Sequence, residues 1–530
     1  MRKKKKSSRG KTILLFIALL CYIYFRGIGD HGLIDTLEGV NASVSLHMFA
    51  TGNYFTPKIG EALTAGSSLG TWWLEALALK FFGWGEFAVR FWSAISGLGM
   101  ILASALAAHS SPGDSSRKSW FAASICASMT VCFVVSQLAS EHALFAFLTA
   151  LTMAGAVRAR NNRRWIIISH IASTLAFISH GAGGLFLPWF AVIIYCVISN
   201  DWDLLRDFFT WPSGIIITIV FCGFYFILLA LINPSIIHFM RCQGHNYTFG
   251  GTTGIIVFAF MSFFPFHGFI LRAIYEVFPR KIPAEKSPEF LMFIWALTFG
   301  TAAVASGDIL ALASCVPALS AIIGRKLDLW LAQKKLFAVC YAVVINTIIL
   351  VPVFYMILPF MMNKIPLIRA SMMSLIPYAL TAGLFIFACW HYTKTREINK
   401  WVRNVPAAAL LCLFPLAGVF NLTADLYSIR EQGLRMREVV QGNNKVIQYG
   451  VNFPSVYFYT FRNSNIINAG LTPGVSERNF AADNTLIHSL WPGQERVFVI
   501  MRENMQTENV IPKNIYTLLE ANGILLFTNQ

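Results

Sequence analysis

Residues 31–90 read HGLIDTLEGVNASVSLHMFATGNYFTPKIGEALTAGSSLGTWWLEALALKFFGWGEFAVR, and they follow the first apolar segment of the chain. The stretch is too polar at its start, and too long, to be a simple connector. It opens on two acids, Asp35 and Glu38, continues with helix-like apolar spacing, and reaches a Gly-Asn-Tyr-Phe-Thr-Pro turn at 52–57. A second amphipathic stretch, 69–82, leads into Arg90. Between membrane spans, such a segment is expected on the membrane surface, where it shapes a site.

The surrounding composition supplies those spans. The 530 residues are 56% hydrophobic and only 13% charged, with a mean hydropathy of +0.58. A soluble protein carries about a quarter charged residues. The excess apolar content falls in runs of about 20 residues, the length an α-helix needs to cross the hydrocarbon. The chain therefore reads as a polytopic α-helical membrane protein. Its formal charge of +16 does not point to nucleic acid, because the basic residues cluster in short loops between apolar runs, as topology signals do. The ten cysteines are scattered, mostly within apolar spans, without CxxC or His/Cys spacing, which argues against disulfides and a thiolate metal site. MRKKKKSSRGK before TILLFIALLCYIYF has no small-residue cleavage site after it, so it reads as an uncleaved first span.

Counting apolar runs gives about thirteen spans, near 12–27, 88–108, 119–138, 141–157, 164–180, 183–199, 213–233, 254–278, 289–305, 308–324, 335–359, 372–393 and 406–421. Basic residues at 2–11, 117–118, 158–164, 280–281, 325–335 and 394–403 occupy alternate loops, which places those loops in the cytoplasm. The expected organisation is a basic cytoplasmic tail (1–11), a transmembrane domain (12–421) with its first outer loop at 28–87, and a soluble outer domain (422–530). In that last domain KVIQYGV, SVYFYTF, RVFVIM and ILLFTN read as strands, while AADNTLIHSLW and NIYTLLEANG read as helices. This alternation predicts a small α/β domain. There is no GxxxxGK[ST] loop and no serine-nucleophile elbow, which argues against an ATP-driven pump.

Four places carry residues suited to chemistry. Asp35 and Glu38, three apart, share one face of a helix, where a carboxylate serves as general base or as ordinary helix N-terminal charge. Glu141-His142, in QLASEHALFAF, puts a carboxylate at or near membrane depth, where an acid is functional by default unless it lies just outside the bilayer. His180, in FISHGAGGLFLPW, binds an anionic phosphate as the imidazolium or caps its helix. Arg241 opens RCQGHNYTFGGTTG, a glycine-rich outer loop suited to a sugar or phosphate, or simply a loop. Asp308, Arg272 and Glu276 read as structural. Sequons at Asn41, Asn246 and Asn421 are short patterns that match often by chance.

LIDTLEGVNASVSLHMFATGNYFTP and GWGEFAVRFWSA resemble the first outer loop of the bacterial lipid A aminoarabinose transferases and their protein O-mannosyltransferase relatives. That loop reads approximately Trp-x-x-Asp-Glu, a helix, Ser-Gly-Asp-Trp-x-x-Pro, then Glu-Lys-Pro before the second span. The likeness extends to ISHGAGGLFLPW, VASGDILALASCVPALS and INAGLTPGVSERNFAADNTLIHSLW, and so covers nearly the whole chain. The active-site motifs diverge. The family's Asp-Glu pair is Leu37-Glu38 here, with Asp35 two residues upstream. The lysine of Glu-Lys-Pro falls near Gly66, that of Thr-Lys-Gly is His180, and those of Lys-Gly-Lys are Ser306 and Asp308. The family's second-loop Asp aligns with Glu141.

The resemblance implies a GT-C glycosyltransferase in the bacterial inner membrane, with its N-terminus in the cytoplasm and its C-terminal domain in the periplasm. Such enzymes take a sugar from a polyprenyl-phosphate carrier and pass it, with inversion, to a lipid A, glycan or protein acceptor at the outer face. It implies Asp35 or Glu38 as base and Glu141 as second acid, with His180, His142, Lys58 and Arg241 at the lipid phosphate, where charge develops on the leaving group. No cofactor is required by these residues, and a divalent metal bridging carboxylate and phosphate is the remaining possibility. Two other readings keep the fold: a catalytically inactive relative that binds polyprenyl lipid or an active partner, and a lipid transporter.

Overall fold

The computed structural model describes residues 2–60, 62–63, 68–232, 262–279, 284–333, 427–441, 444–467, 480–481, 496–502 and 515–529, with isolated positions elsewhere. The chain divides into two compact units. One comprises Met1–Ile28, Trp92–Tyr225 and Tyr247–Phe420; the other comprises Gly29–Phe91, Phe226–Asn246 and Asn421–Gln530. The acidic first loop and the C-terminal region thus belong to the same unit.

That second unit contains α2 (Val40–Thr51), which follows α1 (Arg2–Phe25), and then the two-residue strands β1 (Lys58–Ile59) and β2 (Ala62–Leu63) and helix α3 (Leu69–Phe82). A π-helical turn, Asp35–Gly39, leads into α2. Gly52, at φ +71°, ends α2 in the left-handed cap that glycine adopts at little cost. Asn41 is buried, and its carboxamide oxygen accepts the indole N–H of Trp72 at 2.8 Å, so that sequon is part of the helix packing.

The first unit is helical. After α4 (Glu86–Ala108) come α5 (Ser116–Ser128), α6 (Thr130–Ser136), α7 (Glu141–Ala159), α8 (Trp165–His180), α9 (Ala182–Ser199), α10 (Trp202–Thr210), α11 (Pro212–Ile232), α12 (His267–Val277), α13 (Pro288–Ser306) and α14 (Val316–Ala332). Among the described residues, five helices are long and apolar enough to cross a membrane, or up to seven if each bent pair counts as one span. The run expected at 119–138 is such a pair: α5 and α6 meet at 64°. The run at 308–324 begins as a 3-10 turn, Ile309–Cys315, before α14. Ser287 caps α13 by accepting the Phe290 N–H, with Pro288 at the first helical position. The expected spans at 372–393 and 406–421, and most of 335–359, lie outside the described residues, as does the first part of 254–278. These helices make the chain a multi-pass membrane protein by length and composition.

The C-terminal region folds as α15 (Arg430–Val439), α16 (Ser455–Thr460) and a six-stranded sheet ordered β5-β4-β3-β6-β8-β7. Its strands are β3 (Lys445–Tyr449), β4 (Ser464–Ile467), β5 (Phe480–Ala481), β6 (Val497–Arg502), β7 (Tyr516–Ala521) and β8 (Ile524–Thr528). The first four pair in parallel, and β8 runs antiparallel to both β6 and β7. β6 is an apolar run buried almost throughout, as a strand covered on both faces should be.

Two sequence expectations are corrected by the sheet. NIYTLLEANG is strand β7, not a helix, because Asn522 and Gly523 both take positive φ and form the Asn-Gly turn of a β7–β8 hairpin. SVYFYTF is helix α16, not a strand. Its aromatic residues are buried on packing partners, and tertiary packing overrides their strand propensity. AADNTLIHSLW lies outside the described residues apart from Ala481, which ends β5.

Candidate active site

The acidic turn of the first loop is fixed from several directions. Arg90, in the second turn of α4, is fully buried and meets Glu38 with both arms of its guanidinium, Nε to Oε1 and Nη2 to Oε2, each at 2.7 Å. Its remaining donors reach the carbonyls of His31 (2.9 Å) and Gly32 (2.8 Å), and Glu38 Oε2 also accepts the Ile34 N–H at 2.8 Å. A planar fork facing a carboxylate gives both strength and orientation. With both oxygens engaged in this way, Glu38 anchors the turn rather than offering a base.

Asp35 lies in the same π-helical turn, 3% exposed. Its Oδ1 accepts the backbone N–H of Ser455 at 2.9 Å. Burial pushes its carboxyl up to about 7, against the pull of hydrogen bonds from Ser455. The neighbouring Glu38 charge acts in the same direction as burial, as a smaller contribution. A carboxyl near 7 is matched to taking a proton at neutral pH. Gly39 is required here, since a Cβ at that position would sit 2.9 Å from Asp35 Oδ1 and 3.0 Å from the Ser455 nitrogen.

Helix α16 and the proline before it also bond to residues on either side of this turn. The Ser43 hydroxyl donates to the Pro454 carbonyl (2.7 Å), His47 Nδ1 lies 2.9 Å from the Tyr457 hydroxyl, and the Tyr459 hydroxyl accepts the Leu33 N–H (2.9 Å). The Trp84 indole donates to the Phe458 carbonyl at 3.0 Å. Lys58 lies in β1, half-buried. Burial holds the His47 imidazole below its usual range, and the Lys58 charge adds to this.

The other unit gathers a second cluster. His142, in the first turn of α7 and 1% exposed, places Nδ1 3.5 Å from Asp308 Oδ2. Its ring centroid is 6.2 Å from that of His180, which lies 4.3 Å from that of Phe145. His180 ends α8, and Gly181 turns the chain at φ +69°. Asp308 follows the left-handed Gly307 and caps the 3-10 turn, accepting the Ala311 N–H at 3.4 Å. Glu141 is buried at the start of α7, where a negative charge suits the helix dipole.

The structure therefore brings Asp35 together with Glu38, and His142 together with His180. Arg241 and the Gly66 position lie outside the described residues. Arg90 and Ser455 were missed as site residues, although an arginine at the start of an apolar span was a signal for Arg90. Asp308 caps its turn and also faces a candidate histidine. Arg272 and Glu276 pair within α12 at 2.9 Å, and Glu276 also accepts the Trp330 indole N–H. Among the described residues, no group of three or more His, Cys, Asp or Glu side chains could hold a metal ion.

A bundle of apolar helices, an acidic first loop held by α4 and a C-terminal sheet define a helical GT-C-like fold. Solved structures similar to this chain include those of ArnT from Cupriavidus metallidurans. The apo form superposes with a TM-score of 0.76 over 99% of this chain and 98% of that one, at 17% identity. The form bound to undecaprenyl phosphate gives 0.76 at 16% identity, over 98% of each chain. Residues 67–227 match the dolichyl-phosphate-mannose-protein mannosyltransferase family. An uncharacterized protein of Aquifex aeolicus (strain VF5) is 23% identical over 228 residues, covering 42% of this chain and 44% of that relative's length. The chain thus resembles the aminoarabinose transferase and protein O-mannosyltransferase family.

Proposed function

We propose that the chain is a membrane glycosyltransferase that moves a sugar from a polyprenyl-phosphate carrier to a lipid, glycan or protein acceptor at the outer face of the inner membrane. Asp35 carries the reading: a buried carboxyl in the first loop with a pKa of about 7. In this reading an acceptor hydroxyl or amine gives its proton to Asp35 as it attacks the anomeric carbon. The bond from that carbon to the phosphate oxygen breaks, and the phosphate leaves with the electron pair. Glu38, clamped by Arg90, positions the turn. His180 meets the phosphate, with His142, Lys58 and Arg241 as further polar or cationic partners and Glu141 as the second acid. No step uses a cofactor. The reading keeps thirteen spans and places the C-terminal sheet outside.

Deleting the protein and measuring lipid A, surface polysaccharide and envelope proteins by mass spectrometry tests the activity, which predicts a missing glycan. Transfer by the intact protein should rise with pH through about 7 as Asp35 ionises, and Asp35→Asn should abolish it. Full retention of transfer by both Asp35→Asn and Glu38→Gln would remove the base assignment.

One observation favours a second reading, a lipid-binding relative without transfer activity. Asp308 puts a carboxylate against His142 where the resemblance expects a lysine. An unchanged glycan profile on deletion, together with retained binding of polyprenyl phosphate, is the outcome that reading requires.

A further inference from the structure

The far end of α7 takes no part in the proposed chemistry, and it carries a cation of its own. Arg158, in the last turn of α7, lays its guanidinium over the Trp165 indole, 4.2 Å from the ring centre. Of its five N–H donors, one reaches the Leu106 carbonyl in the last turn of α4 at 3.5 Å. No acid among the described residues pairs with it. The acids of the adjoining helix are taken: Asp201 pairs with Arg160 and Lys286, and Asp207 with Arg163. Arg164, the residue before Trp165, is exposed. An apolar groove leads to this cation. Phe147, Leu151 and Arg158 fall on one face of α7, all half-buried, with a helix close on either side. α4 approaches through Gly99, where a Cβ would sit 2.5 Å from the Phe147 ring. α8 approaches through Gly155, where one would sit 3.0 Å from the Trp165 carbonyl oxygen and from Ser169 Cβ. Leu102 on α4 and Ile168 and Ile171 on α8 are exposed.

We propose that Arg158, with Arg164 at the rim, binds the phosphate of an anionic phospholipid whose acyl chain lies over Phe147 and Leu151. The guanidinium fork suits a phosphate, and basic pockets between membrane helices take such headgroups. Charge selects the occupant, because a second copy docked here would have to bring an acid to Arg158. Length separates this phosphate from the one proposed for the carrier: Arg158 stands about 26 Å along α7 from Glu141-His142, at 1.5 Å per residue. The inference goes beyond the proposed activity and does not depend on it.

The test is native mass spectrometry of the full chain in detergent, with equal amounts of phosphatidylglycerol and phosphatidylcholine of the same acyl chains. The native chain should retain several-fold more of the anionic lipid. Arg158→Gln should lose most of that preference, and Arg158→Lys, which keeps the charge without the fork, should fall between. An unchanged preference in Arg158→Gln would overturn the proposal and leave the arginine as a cap on the last turn of α4. If Arg158→Gln does not fold, Leu151→Trp gives the same decision, since it fills the groove and keeps the charge. Lowered retention of phosphatidylglycerol by that variant supports the site, and unchanged retention overturns it. A final arm adds undecaprenyl phosphate, which carries the same chemistry. If it displaces the phosphatidylglycerol that depends on Arg158, the site belongs to the carrier and the proposal falls; if that lipid stays bound, the occupant is a phospholipid.

Discussion

The acidic turn of one compact unit and the histidine cluster of the other are built on opposite terms. Around Arg90, four hydrogen bonds of 2.7–2.9 Å enclose a carboxylate and two carbonyls, with neither charge exposed. At His142, Asp308 Oδ2 stands 3.5 Å from Nδ1 and the His180 ring centroid 6.2 Å from its own, with Asp308 13% exposed. A pair sealed away from water cannot lose one member without stranding the other. A looser, partly wetted pair tolerates exchange of one charge for another. The sealed pair fixes its turn, whereas the looser pair leaves room for a change of charge at Asp308.

The sharpest way to break that contrast is Arg90→Ala. Removing one partner of a buried pair costs about 3–5 kcal/mol, so thermal unfolding of the purified chain should show a large loss. Arg90→Lys should fall between, keeping the charge but not the fork. A near-neutral Arg90→Ala would mean that the turn is not held as described.

Asp35 gives the next largest effect, and a pH dependence of definite sign. Its carboxyl is raised from 3.8 to about 7 in the folded chain, so the folded state holds the proton more tightly than the unfolded one. This contribution to stability is complete below about pH 4 and is lost as pH rises to about 7, a change of about 4 kcal/mol at 1.36 kcal/mol per pKa unit. Asp35→Asn should flatten the difference in unfolding temperature between pH 4 and pH 8 relative to the native chain. An identical pH profile in the two proteins would contradict the burial of this acid. Gly39→Ala should cost less, about 1–3 kcal/mol as an overpacking change, because its Cβ would press on Asp35 and on the Ser455 backbone. Hydrogen exchange at the Ser455 amide should quicken in that variant, and unchanged protection would count against the contact.

Much of this arrangement was legible in the residues, for reasons that also explain what was not. The apolar runs that became α4, α7, α9 and α13 are long enough that periodicity and length alone define them. Asp35 and Glu38 stood out as acids in a short polar window between such runs. Their different fates did not, because Arg90 is 52 residues from Glu38 and Ser455 is 420 residues from Asp35, and no local pattern encodes either pairing. The two reversals in the C-terminal region have separate causes. The Asn522-Gly523 hairpin signal was local but was absorbed into a helical reading of the residues before it. The helix at Ser455–Thr460 is decided by its bonds to the first loop, which composition cannot reveal.

The smallest expected change in stability, and the most informative about ligand, comes from Asp308→Lys. The substitution loses the cap on the Ile309–Cys315 turn, worth about 1 kcal/mol, and a partly exposed charge pair worth about 0–1 kcal/mol. The unfolding temperature should therefore move little. At the His142 side chain, however, one negative charge is replaced by one positive charge, at a position where the resemblance expects a phosphate-binding lysine. If this cluster receives a lipid phosphate, Asp308→Lys should tighten binding of undecaprenyl phosphate to the full chain in detergent, with the gain shrinking as salt is added. The same substitution paired with His180→Ala should recover part of the binding that His180→Ala alone removes. Binding that is unaffected by both changes would place the phosphate elsewhere and leave the Asp308–His142 contact as a purely structural pair.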